Sequence, residues 1–137
     1  MSATIESLIP HRPPMRWINS YTEGGEKLFH TTACFLENDF CIADGKVLET
    51  ALVECVAQTV AAGLGSRQQT GGEGHRVAVN AMLVGVTGFK IHVRPPVGKT
   101  IHIEVRETRR LGPMVMIAST ITCDGVLCAT GNLSLYA

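Results

Sequence analysis

The chain has 137 residues, enough for one domain with a real core, and its 12 Lys and Arg balance its 12 Asp and Glu to a formal net charge of zero. Arg106, Arg109 and Arg110 interleave with Glu104 and Glu107 instead of forming a basic face, which argues against nucleic-acid binding. No apolar run reaches the ~18 residues of a membrane span, and the N-terminus lacks the regions of a signal peptide, so a cytoplasmic protein is expected.

In chain order, Ile5 to Leu8 can form one helical turn, closed by Pro10. Arg16 to Tyr21 reads as a short strand and Glu23 to Glu26 as a turn. Lys27 to Leu36 is rich in β-formers, and Glu37 to Lys46 is a polar connection. Thr50 is positioned to cap a helix running from Ala51 to Leu64. Ser66 to His75 has the composition of a mobile loop. Val77 to Val93 follows as a long strand, then a turn at Pro95 to Gly98. Thr100 to Arg109 alternates cleanly, with Ile101, Ile103 and Val105 against His102, Glu104 and Arg106. Beyond a turn at Leu111 to Pro113, the strands Met114 to Cys123 and Val126 to Tyr136 flank Asp124-Gly125, a strong hairpin signal. The sum is an α+β architecture: one domain, residues 1–137, in which a curved antiparallel sheet wraps a single long central helix. One helix cannot cover such a sheet, so association through strand edges is expected.

Glu54 stands out because that helix is otherwise apolar nearly all round, which marks a buried helix. Its strongly polar companion is Gln58, four residues on and therefore on the same face. A buried carboxylate is either paired structurally or used as an acid or base; a solvated stripe would carry more charge. The five cysteines (Cys34, Cys41, Cys55, Cys123 and Cys128) follow no CxxC spacing and read as free thiols. Cys55 projects away from Glu54 and is not favoured as a nucleophile. No His/Cys cluster has metal-ligand spacing, so neither a metal nor another cofactor is expected. His30, His75, His92 and His102 have no partner spacing and read as structural or solvated.

Three segments together resemble the hotdog-fold 3-hydroxyacyl-(acyl carrier protein) dehydratases, especially the short variants of aryl-polyene-type biosynthesis. Leu8-Ile9-Pro10-His11-Arg12-Pro13-Pro14-Met15 is similar to the family's Leu-Pro-His-Arg-x-Pro motif. Val53-Glu54-Cys55-Val56-Ala57-Gln58 resembles its Leu-Glu-Ala-Met-Ala-Gln helix, and Val84 to Gly98 its next strand and Pro-Gly turn. The similarity spans nearly the whole chain.

The resemblance implies dehydration of a 3-hydroxyacyl thioester in fatty-acid or polyene-type biosynthesis. Glu54 would protonate the departing hydroxyl, and Gln58 would orient it. The implied partners are an acyl carrier protein or acyl-CoA substrate and a second hotdog subunit, in a homodimer or hetero-oligomer. Lys90 and Arg94 could meet the phosphate of a pantetheine arm. The chain also departs from the family. Where the dehydratases carry a catalytic loop His, the residue at the corresponding spacing before Glu54 is Phe40, and Leu48-Glu49 replaces the usual Pro-Gly at the helix start. Three repairs are open. His11 could serve as the base. A partner hotdog subunit could bring the His; separately, this chain could be a non-catalytic subunit that completes another chain's site. Or the chemistry could be thioester hydrolysis, with Glu54 activating water.

Overall fold

The computed structural model describes residues 4–13, 15–25, 27–39, 41–70 and 82–136. The first helical turn, α1 (Ile5–Leu8), precedes strands β1 (Ile18–Gly25) and β2 (Leu28–Cys34). A small hairpin, β3 (Ile42–Ala43) and β4 (Lys46–Val47), leads into the long helix α2 (Glu49–Thr70). Strands β5 (Met82–Ile91), β6 (Thr100–Leu111), β7 (Met114–Cys123) and β8 (Val126–Tyr136) complete the fold. Six strands form one sheet in the order β1-β2-β6-β7-β8-β5, with every neighbouring pair antiparallel. This is the hotdog arrangement, with α2 packed on the concave face.

Alternation decides which side of the sheet is buried. On β6, Ile101, Ile103 and Val105 are fully buried while His102, Glu104 and Arg106 face solvent. Val115, Ile117 and Ile121 on β7 continue that inner layer, against Leu52, Val56 and Val60 of α2. Each such side chain contributes roughly 1.5–3 kcal/mol by leaving water. A buried hydrogen bond of 2.6 Å between the Thr31 and Thr59 hydroxyls ties β2 to α2.

Local chemistry sets the turns. Asp124 and Gly125 both adopt positive φ, 51° and 76°, and Cys123 pairs directly with Val126 across them. Asp44 and Gly45 do the same at 54° and 71°. The expected polar connection therefore contains the β3–β4 hairpin. β1 starts and ends later than expected, so Glu23 and Gly25 are paired strand residues and not a turn. Glu26 lies outside the described residues, as do Gly71 to His75 of the expected loop and the expected strand start at Val77.

The helix is longer at both ends than the sequence suggests. It begins at Glu49, with the Ala51 N–H donating to the Leu48 carbonyl at 3.1 Å, so Thr50 lies in the first turn and is not its cap. It also runs through Gly63 and Gly65 to Thr70, so residues 66–70 of the expected loop are helical. Those glycines serve close approach. A Cβ on Gly63 would fall 2.3 Å from the Phe29 ring, and one on Gly65 would fall 2.3 Å from the Leu8 carbonyl oxygen. Gly65→Ala should cost about 1–3 kcal/mol, because backbone at α1 must move to admit a methyl group. An unchanged denaturant midpoint would show that α1 gives way freely.

Candidate active site

A strap from Ile9 to Trp17 crosses α2 and brings His11 to the helix. Arg12 builds this strap: its guanidinium donates to the carbonyls of Ile9 (2.9 Å), His11 (2.8 Å) and Glu6 (3.0 Å). The Arg12 carbonyl then accepts from the Met15 and Arg16 N–H groups, and Arg16 forms an ion pair with Glu6. Beneath the strap, Leu8, Ile9 and Ile18 pack on Ala61 and Ala62 of the helix.

Gln58 joins strap and helix. It is fully buried. Its amide nitrogen donates to the Met15 carbonyl at 2.8 Å and to Glu54 Oε1 at 3.2 Å, while its oxygen accepts the Trp17 N–H at 3.0 Å. A donor on one side and an acceptor on the other permit one amide orientation. Glu54 is thus held by Gln58 on one side, and on the other His11 Nε2 lies 3.4 Å from the same Oε1. His11 Nδ1 is buried without a hydrogen-bond partner. The imidazole's interaction with a titratable group is therefore made through Nε2, facing the carboxylate.

The structure brings Glu54, His11 and Gln58 together. It also corrects the expectation that Glu54 is buried, since its side chain is 35% exposed and that of His11 is 30% exposed. Val53, Glu54 and Ala57 form a half-buried stripe, whereas Ala51, Leu52, Cys55 and Val56 are fully enclosed. Glu54 is therefore accessible from outside, as an acid or base that meets substrate must be. Cys55 is different: burial pushes its thiol far up, and it is no nucleophile.

Lys90 and Arg94 do not join this cluster. Arg94 Nε donates to the Val47 carbonyl at 2.9 Å, and a terminal nitrogen donates to Ala43 at 2.9 Å and Lys46 at 3.1 Å. Arg94 thereby clamps the β3–β4 hairpin beside the start of α2, bordering a shallow depression with Lys46, Glu49 and His92. Lys90 is exposed on β5, in register with Thr130. Phe40, at the position of the family's loop His, lies outside the described residues.

Sequence reasoning missed two features. Arg12 carried no assigned role, although its place beside His11 in the motif was a usable signal. His30 and His102, read separately as structural or solvated residues, in fact touch, and no spacing in the sequence announces it. Among the described residues, no group of three His, Cys, Asp or Glu is placed to hold a metal ion. No described helix is long and apolar enough to cross a membrane.

Residues 3–137 match the ApeP-like family, described as ApeP dehydratase. No curated protein matches in sequence. Among solved structures, the dehydratase heterocomplex ApeI:P from Xenorhabdus doucetiae superposes with a TM-score of 0.87 at 19% identity, covering 99% of this chain and 91% of that one. A hypothetical thioesterase with coenzyme A from Streptococcus pneumoniae gives a TM-score of 0.66 at 8% identity, covering 85% and 86%. The E. coli PaaI protein of the phenylacetic acid degradation operon gives 0.65 at 9% identity, covering 85% and 81%. At these identities the structural likeness establishes the hotdog fold alone, while the family match covers almost the entire sequence: the chain belongs to the ApeP-like dehydratase family.

Proposed function

We propose that this protein dehydrates 3-hydroxyacyl thioesters, carried on acyl carrier protein or coenzyme A, to enoyl thioesters in polyene-type or fatty-acid biosynthesis in the cytoplasm. The observation that carries this reading is the 3.4 Å contact between His11 and Glu54 on an accessible stripe of the central helix. This reaction requires His11 to start neutral and Glu54 to start protonated. His11 Nε2 then removes the α-proton, the Cα–Cβ double bond forms, and the Cβ–O bond breaks. Glu54 protonates the departing hydroxyl, releasing water. His11 is left charged and Glu54 ionised, and transfer of the proton across their contact restores the pair.

The site also suits assembly with a second hotdog subunit. Among the described residues β5 pairs with β8 alone, and Met82, Val84 and Val86 on it are exposed. A long apolar edge strand needs a cover. That the structurally similar ApeI:P protein is a heterocomplex supports a partner of different sequence. For the carrier's phosphate, Lys90 is the freer of the two cations proposed, since Arg94 is engaged with backbone carbonyls.

Mass spectrometry of the purified chain with a 3-hydroxyacyl-carrier thioester tests the reading. Loss of one water supports it, and release of the free thiol makes the protein a hydrolase with Glu54 as general base. Activity that appears only when a hotdog partner is added assigns this chain a subunit role. His11→Asn should lower the dehydration rate by about 10²-fold. Undiminished turnover would remove His11 as the base.

A further inference from the structure

The outer face of the sheet carries a side-chain pair that the proposed chemistry leaves unused. His30 on β2 and His102 on β6 stack with ring centroids 5.4 Å apart and planes 20° apart. His30 Nε2 lies 3.2 Å from His102 Nδ1. At that distance one nitrogen must donate and the other accept. Two neutral imidazoles satisfy this; two imidazolium ions have a proton on every nitrogen and no acceptor between them.

The surroundings decide what the pair can do. Directly across from His30 on β6 is Glu104, and Arg106, the next charge along the same face, is in register with Leu28. β1 places Thr22 opposite His30, and β7 places Thr122 opposite His102 and Thr120 opposite Glu104. The face is therefore mostly neutral around the pair, with a single nearby carboxylate. Partial burial and the facing His102 hold the His30 imidazole below its ordinary range, with Glu104 pulling weakly the other way.

We propose that His30 and His102 form a proton-gated clasp between β2 and β6, closed by one N–H···N hydrogen bond while at least one ring is neutral and opened when both rings carry a proton. The clasp bears on the rest of the molecule through β2. Its Thr31, adjacent to His30, hydrogen-bonds Thr59 of α2, and β2 is the strand that joins β1 to the sheet. Opening the clasp loosens the attachment of the β1–β2 hairpin. The direction with pH follows from linkage. His30 titrates lower in the folded than in the unfolded chain, so its stabilisation is complete above the unfolded imidazole value and is lost as pH falls through the folded one.

Ring-proton NMR of the full chain, titrated from about pH 8 to about pH 5 across the imidazole range, tests the clasp. In His102→Gln the His30 titration should move upward, toward the ordinary imidazole value. A His30 titration that stays put or moves down overturns the proposal. The thermal midpoint of the wild type should also fall more steeply with acidification than that of the His30→Gln/His102→Gln double variant. Parallel curves would likewise overturn it.

Discussion

Glu54→Gln is expected to reduce turnover by about 10³–10⁴-fold, near the upper end of what a general acid contributes, while leaving the fold intact. The substitution preserves size, and an amide oxygen at this position can still accept the Gln58 N–H that now reaches Oε1 at 3.2 Å. It removes the proton that must reach the departing hydroxyl and the carboxylate that must take it back from His11. Because the Glu54 side chain is 35% exposed, no buried charge is being neutralised, and the thermal midpoint should move by only a few degrees. The measurement is product formation by mass spectrometry beside a thermal melt, both in whichever assembly shows wild-type activity. A Glu54→Gln variant that still turns over would eliminate both the dehydratase and the hydrolase readings of this carboxylate. A variant that loses activity by unfolding would show up in the melt.

Much of this site was legible because it depends on local spacing. Glu54 and Gln58 share a face by helical geometry alone, and the hydrogen bond between them follows. Both ends of β7 and β8 were equally readable, since a period-two pattern meets Asp124-Gly125, a turn with one favoured backbone solution. What was not legible lies in contacts between distant segments. Gly63 and Gly65 look like a helix terminator until the Phe29 ring and the Leu8 carbonyl are seen against them. Arg94 looks like a free surface cation until the carbonyls of Ala43, Lys46 and Val47 are found on its guanidinium. Glu54 looked buried because its helical neighbours are small and apolar. Composition cannot say that the Val53–Glu54–Ala57 stripe remains accessible. The nearness of His11 to Glu54 was one of three open possibilities, because nothing in the residues between them encodes a strap over the helix.

Gln58→Leu should show that this strap is a separable part of the molecule. The replacement is similar in volume and apolar, but the Met15 carbonyl and the Trp17 N–H both lose the amide that joins them to α2. Both hydrogen bonds are part-buried, and each contributes about 0.5–1.5 kcal/mol, so a loss of about 1–3 kcal/mol is expected. The loss should fall first on the strap, because α2 remains anchored to the sheet by Leu52, Val56 and Val60. The sole tryptophan, Trp17, reports on this directly. It packs edge-on against Phe35 with ring centroids 5.8 Å apart, and its fluorescence will change when the strap lifts. In urea the Gln58→Leu variant should therefore lose its Trp17 signal before its helical circular dichroism, whereas the two coincide in the wild type. Catalysis should fall mainly in kcat, since a lifted strap takes His11 away from Glu54. If the two spectroscopic transitions stay superimposed and activity is retained, the strap is held by the Arg12 network and the Ile9–Ile18 packing alone. Gln58 would then be reduced to a partner of Glu54.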